Sequence, residues 1–170
     1  VKFENNSINP APQYSAFFID NRTDYSASKT FVDLLKGEIP GTNIPATGDP
    51  RLQKIIAPVS TSKSAALAGN YTESTNLNDY HGIPFGIPSS LVETQVSEND
   101  VRIYSLYSKN VFKPDYTEYY MEYAEVEFLL AEANGWDQAN YENGVRASLL
   151  KWEVNPANIT SYIAALPPAN

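Results

Sequence analysis

The chain has 170 residues, a net charge of −8 and no cysteine, and 42% of its residues are hydrophobic. This length and composition suit one packed domain, or part of one, and argue against a disordered chain. An acidic chain without a lysine and arginine cluster is a poor partner for a phosphate backbone, so nucleic-acid binding is disfavoured. The lack of cysteine and the single histidine, His81, exclude disulfides, thiolate catalysis and zinc sites built from cysteines or paired histidines. We expect no cofactor.

The first part of the chain, residues 1–119, is predicted to be loop-rich with one short helix. Near its start, the apolar run SAFFID is compatible with either a strand or a helix. A clearer signal follows, because Ser26 or Ser28 can cap a helix, apolar residues recur at helical spacing, and Gly37 supplies a stop. This pattern predicts a helix near residues 28–36.

Residues 38–119 show no long periodicity. Turn-forming residues dominate the stretches PGTNIPATGDP and NYTESTNLNDYHGIPFGIPSS. A connection of this length is uncommon in a compact domain and usually indicates a functional loop region or an insertion. In the stretch DVRIYSLY, the alternation of Val101, Ile103 and Ser105 with Arg102, Tyr104 and Leu106 predicts one short strand.

The last third, residues 120–166, is predicted to form three helices, near 120–134, 137–152 and 156–165. Gly135 and Asp137 separate the first two, and Asn155-Pro156 begins the third. The first helix carries an apolar stripe made of Met121, Ala124, Phe128 and Ala131. Two helices joined by so short a turn have the shape of a tetratricopeptide hairpin, which needs stacked neighbours to bury both faces. Since the sequence shows about one such pair, we expect the neighbours to lie outside these 170 residues.

The first of these helices is rich in carboxylates, namely Glu122, Glu125, Glu127 and Glu132. Two opposed carboxylates could serve glycoside hydrolysis, but that chemistry usually draws them from different elements, whereas these lie on one helix. Glu125 and Glu132 are seven residues apart on one face, and we predict that they face a neighbouring helix or water. A buried glutamate here would need a cationic partner, for which Arg102 and Arg146 are the nearby arginines.

Other chemical motifs are less specific. His81 stands without a second base or a serine-based elbow, so a loop histidine that bonds a backbone carbonyl is favoured over a catalytic one. The clusters NLND (76–79) and SEND (97–100) offer oxygens for calcium but lack the spacing of an EF-hand, and turn formation is the more ordinary role.

Aromatic residues interleaved with Asn, Ser and Asp in the middle of the chain are the best functional signal. Flat rings can stack on the apolar faces of sugars while amides and carboxylates bond sugar hydroxyls. The candidate ligand-binding residues are Tyr71, Tyr80, His81, Phe85, Asn76, Asn78 and Asp79. The alternative is that such rings pack the loops onto the helices, with Tyr80 and Phe85 as anchors.

Several segments together resemble one protein family. The stretches YAEVEFLLAEANGW and YENGVRASLLKWEV resemble the most recognisable part of the SusD/RagB-like outer-membrane nutrient-binding lipoproteins of Bacteroidetes. DYSASKTFVDLL, DPRL and YHGIPFG resemble upstream signatures of one branch of that family. The matching positions in the helical part are Tyr123–Val126, Leu129–Ala133, Tyr141–Val145, Ala147–Ser148 and Trp152.

The resemblance implies a mainly α fold in which residues 1–170 form one part of a larger SusD-like domain. It also implies a non-enzymatic protein that binds glycans at the cell surface and passes them to a SusC-like TonB-dependent transporter. Attachment to the outer membrane would use a lipid anchor outside this chain. The family commonly has glycine after the helix tryptophan, whereas this chain has Glu153, so we expect a different exit from that helix.

Family members bind starch, other polysaccharides, glycoprotein glycans or peptides, so the resemblance assigns no ligand and no contact residue. A SusD-like protein that binds peptides or another nutrient is therefore one alternative. A purely structural tetratricopeptide interaction module is another.

Overall fold

The computed structural model describes residues 2–6, 8–20, 26–88 and 103–169. Within these ranges the chain is mainly helical, and β structure is limited to isolated bridges. This confirms the predicted fold class. The helices are α1 (Pro12–Tyr14), which continues as a π-helical turn (Ser15–Ile19), α2 (Lys29–Lys36), α3 (Leu52–Ile55), α4 (Lys63–Ala68), α5 (Tyr123–Ala133), α6 (Gln138–Lys151) and α7 (Pro156–Ala164).

Helix α2 lies where the sequence predicts it. The Ser28 hydroxyl oxygen accepts a hydrogen bond from the backbone N–H of Phe31 at 3.3 Å, which caps the first turn. Gly37 ends the helix in the left-handed conformation, with φ of 73°. Val32 and Leu35 form its buried face.

Two helices of the loop-rich part, α3 and α4, were not predicted. They contain 4 and 6 residues, too few for an apolar period to repeat. The SAFFID segment is helical rather than extended.

The strand predicted from the alternation in DVRIYSLY does not form in its described part, where Tyr107 makes only an isolated bridge to Ile56. Residues 101 and 102 lie outside the described residues. From residue 103 on, the backbone bonds to three separate segments instead of one partner strand. The Ser105 N–H donates to the His81 carbonyl at 2.7 Å, the Ala27 N–H to the Ser105 carbonyl at 3.2 Å, and the Ala57 N–H to the Leu106 carbonyl at 2.8 Å.

The three C-terminal helices are confirmed. The Asp137 carboxylate accepts from the Asn140 N–H at 2.9 Å and caps α6, and Asn155 caps α7 ahead of Pro156. Helices α5 and α6 pack closely, and a Cβ added to Gly144 would lie 2.7 Å from Cε1 of Phe128. The absence of a side chain at this glycine therefore makes room for an aromatic ring of α5.

The apolar stripe of α5 is only partly as predicted. Ala124 and Ala131 are buried, but Met121 precedes the helix and is exposed. Leu129 and Leu130 also remain exposed. The hairpin therefore carries an apolar outer face.

Three hydrophobic clusters form the core. The first joins α2 and α3 around Tyr80, the second packs Phe17 against Leu106 and Phe112, and the third holds Leu149 with the residues of α7. Trp152 packs against both the first and the third cluster.

A buried polar network also joins the loop-rich part to the C-terminal helices. Asp49 is 2% exposed, and its carboxylate pairs with the Arg51 guanidinium at 2.5 Å. Arg51 also donates to the Ser148 hydroxyl on α6 at 2.7 Å. The Tyr162 hydroxyl on α7 donates to Asp49 at 3.1 Å. One ion pair thus contacts both of the last two helices.

Candidate functional site

The loop predicted to bind ligand folds around Tyr80. This side chain is fully buried in the first hydrophobic cluster. Its hydroxyl oxygen accepts from the Ser74 N–H at 3.1 Å, and its O–H donates to the Ser74 carbonyl at 2.9 Å. Burial raises the pKa of Tyr80 to about 12. The structure therefore places this candidate in the core as a support for the loop.

Three of the polar candidates come together in one turn. Asn76 accepts from the backbone N–H of Asn78 at 3.1 Å, and its amide donates to the Asp79 carboxylate at 3.1 Å. The Ser74 hydroxyl donates to the same carboxylate at 2.5 Å. These contacts hold the 3₁₀ turn Leu77–Asp79 in place, which is the turn-forming role weighed against calcium binding.

The remaining candidates are spread along the surface. Phe85 is fully exposed, and the side chains of His81 and Asn78 are also exposed. Tyr71 is half-buried against the second hydrophobic cluster, and burial raises its pKa. The loop therefore exposes the Phe85 ring and the polar side chains of His81 and Asn78 to solvent, while Tyr80 is buried in the core.

Gly82 holds this loop against α2. A Cβ at this position would lie 2.4 Å from the Cα of Lys29. The Lys29 N–H donates to the Ile83 carbonyl at 2.8 Å. Only glycine permits so close an approach of the two backbones.

A second surface, which the sequence did not single out, is a cleft between the 110–119 segment and the end of α6. It encloses about 100 Å³. Its lining residues are Asn110, Lys113, Tyr116, Thr117, Tyr119, Lys151, Trp152 and Glu153. Tyr116 and Tyr119 belong to the same tyrosine-rich composition that drew attention to the loop, but no local pattern connects them with Trp152.

Lys151 organises this cleft. Its ammonium nitrogen lies 5.1 Å from the centre of the Tyr119 ring and 5.4 Å from that of Trp152. It also forms an ion pair with Glu122. Lys151 and Tyr119 line a neighbouring groove of about 420 Å³ as well, which Met121 and Tyr123 continue.

The carboxylates of α5 do not form an opposed pair. Glu125 and Glu132 are exposed, as predicted, and Glu125 bonds the Glu122 N–H at 3.1 Å in a capping box. The buried carboxylate is Glu127, which accepts from the Asn140 amide at 2.8 Å. Of the two arginines expected as partners, Arg102 lies outside the described residues, and Arg146 is not the partner, because neutral donors such as Asn140 satisfy this carboxylate.

The environment of Glu127 also fixes its charge. Hydrogen bonds from Tyr123, Asn140 and Asn143 lower the pKa of this carboxyl group. Glu127 is therefore ionised at neutral pH.

No group of three or more acidic or histidine side chains in the described ranges is arranged to hold a metal ion. None of the helices within those ranges is long and apolar enough to cross a bilayer.

The described residues thus form a mainly α scaffold with exposed aromatic side chains along two open grooves. The family model of SusD-like proteins, described as starch-binding and associating with the outer membrane, matches residues 1–169. The chain belongs to this SusD-like family. No curated protein and no solved structure matches it.

Proposed function

We propose that this protein binds glycans at the cell surface without cleaving them and delivers them to a TonB-dependent outer-membrane transporter. The observation that carries the proposal is the family match over residues 1–169, since the family is described as starch-binding and associated with the outer membrane. The mainly α scaffold with its exposed aromatic surfaces supports it.

The state of the buried carboxylates supports a binding role over hydrolysis. A glycosidase acid must hold a proton at neutral pH, which requires a raised pKa. The pKa of Glu127 is lowered instead. Glu127 is therefore not prepared to protonate a leaving glycosidic oxygen. Asp49 is buried and already accepts hydrogen bonds from Arg51 and Tyr162.

The transporter and the membrane attachment are part of the same proposal. A SusC-like transporter is the proposed partner, and a lipid anchor outside this chain is the proposed attachment. Both rest on family membership. Affinity purification from detergent-solubilised outer membranes tests them. We expect a TonB-dependent transporter to co-purify and surface labelling of intact cells to reach the protein. Recovery in the soluble fraction, with no transporter attached, would contradict this part of the proposal.

For the ligand-contacting part of the loop, we propose the exposed side chains of Phe85, His81 and Asn78. Tyr71, Tyr80, Asn76 and Asp79 would position this surface from below. The exposure of Phe85 supports this assignment, because an apolar ring in water gains most from a ligand that covers it.

The variant Phe85→Ala tests the loop assignment. Truncation of a ring that contacts ligand typically costs more than ~1 kcal/mol, so we expect glycan affinity to fall about fivefold or more. The melting temperature should not change, since the side chain packs against nothing. Tyr120→Ala, another exposed ring, is the control. Unchanged affinity in Phe85→Ala would remove the loop from the proposed site.

A further inference from the structure

We infer that the cleft between the 110–119 segment and the end of α6 is a further saccharide-binding subsite, and that it takes neutral sugars. This inference rests on the proposed glycan-binding function and names a second place for it. Three features support it, namely the rings of Tyr119 and Trp152, the charge balance of the walls and the shape of the two adjoining grooves.

The aromatic rings of the cleft are held in place before any ligand arrives. Trp152 packs against two hydrophobic clusters, which fixes the orientation of its ring. Tyr119 is 54% exposed, and its ring lies beside the Lys151 ammonium that Glu122 anchors. A ring that is both exposed and ordered loses little entropy when a sugar stacks on it. The C–H face of a pyranose is apolar and flat, and it fits such a surface.

The wall opposite α6 is also fixed by backbone contacts. Thr117 pairs with Lys2 in an antiparallel bridge, and the Ala11 N–H donates to the Pro114 carbonyl at 2.8 Å. The Asn110 amide donates to the Lys54 carbonyl at 2.9 Å. Polar side chains on this wall therefore have defined positions from which to meet sugar hydroxyls.

Charge selects the class of sugar. Two lysines, Lys113 and Lys151, line the cleft, and Glu153 lines it with them while Glu122 pairs with Lys151. The positive and negative charges at the cleft are therefore equal in number, whereas the chain as a whole has a net charge of −8. The cleft also lies at the carboxyl end of α6, where the helix dipole disfavours anions. Uronic acids and sulfated sugars are therefore expected to bind less well than neutral ones.

Shape indicates how a chain of sugars would lie. The cleft itself is small, at about 100 Å³, and suits the edge of one sugar unit. The adjoining groove of about 420 Å³ shares Tyr119 and Lys151 with it. A linear oligosaccharide can cross the Tyr119 ring with units on both sides, so we expect oligosaccharides to bind better than monosaccharides.

Trp152 gives a direct optical readout of this cleft. The chain has two tryptophans, and the other, Trp136, is exposed outside the cleft. In the Trp136→Phe background, emission therefore reports on Trp152 alone. We would titrate this protein with a neutral starch-derived oligosaccharide and with an acidic oligosaccharide of equal length. The same titration is then repeated with Tyr119→Ala and with Tyr120→Ala added to that background.

We expect saturable changes in Trp152 emission with the neutral oligosaccharide and an affinity weakened about tenfold by Tyr119→Ala. Tyr120 is 89% exposed and lines neither groove, so Tyr120→Ala should match the Trp136→Phe parent. Melting temperatures measured in parallel should be equal for the two variants. Stronger binding of the acidic oligosaccharide would overturn the assignment to neutral sugars.

The result that overturns the subsite is calorimetric binding of the neutral oligosaccharide with no response from Trp152, or equal affinity in Tyr119→Ala and Tyr120→Ala. In that case the proposed function stands and the cleft is not its site. If calorimetry shows no binding of any glycan to the unmutated protein, the proposed function fails together with this inference.

Discussion

At Tyr80, one buried side chain fixes the course of a loop that has little regular structure. Its ring fills the first hydrophobic cluster, and its hydroxyl bonds both the N–H and the carbonyl of Ser74. The Tyr80 hydroxyl therefore satisfies both of these backbone groups, which would otherwise need a hydrogen bond from water. The loop surface that carries Phe85 depends on this arrangement.

Removing the Tyr80 hydroxyl should destabilise the protein. In Tyr80→Phe the Ser74 groups lose their partner, which we expect to lower the free energy of unfolding by ~1–3 kcal/mol. Tyr80→Ala also leaves a cavity and should cost ~3–5 kcal/mol, as other large aromatic truncations do. Denaturant unfolding followed by circular dichroism measures both. A Tyr80→Ala protein as stable as the exposed-site control Tyr120→Ala would contradict this account.

The raised pKa of Tyr80 predicts a pH dependence. The ordinary value is 10.0 and burial raises it to about 12, so in that interval the folded state keeps a proton that the unfolded state has lost. The free energy of unfolding should therefore fall as the pH rises from 10 to 12. Tyr162 contributes in the same direction, since burial and the Asp49 charge raise its pKa too. The fall should be shallower in Tyr80→Phe, and an equal slope in both proteins would refute the assignment.

Glu153 occupies a backbone conformation that glycine would favour. It follows the last turn of α6 and has φ of 54°. The residue after Trp152 is therefore in the left-handed conformation that suits glycine, but in this chain it is a glutamate. We expected the chain to leave this helix differently, and the difference lies in the side chain at this position.

Glu153→Gly is expected to stabilise the protein. A non-glycine residue in the left-handed region costs ~1–2 kcal/mol, and the added freedom of glycine in the unfolded chain offsets ~0.5–1 kcal/mol of that. The net gain should raise the melting temperature by roughly 2–4 °C in a chain of this length. Glu153→Ala removes the same carboxylate but keeps the strained backbone, so it is the matched control. A glycine variant no more stable than the alanine variant would show that this position stores no strain.

Between elements, the Asp49–Arg51 pair links the loop-rich part to α6 and α7. Asp49 is buried, whereas the Arg51 side chain is 28% exposed. Ser148 and Tyr162 complete the network from the two helices. Burial of a carboxylate is tolerated here because these donors surround it.

Arg51→Ala should destabilise the protein strongly. It leaves the Asp49 charge buried without its cation, which costs ~3–5 kcal/mol in comparable pairs. We expect the lower end of that range, because water reaches the partly exposed Arg51 position. The control is Lys29→Ala, which breaks the exposed Lys29–Asp33 pair on α2 and should lower the free energy of unfolding far less, because water and salt screen a surface pair. Similar losses in the two variants would mean that the buried network contributes no more than a surface pair.

The helices α2, α6 and α7 were predictable because their signals are local. Caps such as Asp137 and Asn155 are followed by apolar residues at helical spacing. The short helices α3 and α4 were not predictable, since their boundaries depend on packing around Leu52 and Ala66. The exposure of Leu129 was also beyond the sequence, because an apolar side chain does not specify the surface that covers it.

For the whole molecule, the sequence showed which residue types the candidate surfaces contain, but it did not show where the folded chain places them. The sequence singled out the tyrosine- and asparagine-rich middle of the chain, and its role in binding stays a prediction. It could not show that Tyr80 faces inward, because tyrosine suits cores and wet surfaces equally. The cleft was also hidden, since Tyr119 and Trp152 are distant in sequence and meet only when α6 folds back on the 110–119 segment. Family membership, by contrast, followed from ordered segments such as YAEVEFLLAEA and was confirmed.

The central claim is that this protein binds a glycan and leaves it intact. Calorimetric titration with a starch-derived oligosaccharide, followed by a reducing-end assay on the recovered sample, tests both halves in one measurement. We predict saturable heat of binding and an oligosaccharide of unchanged length. The absence of binding across a panel of glycans, or an increase in reducing ends with time, would contradict the account.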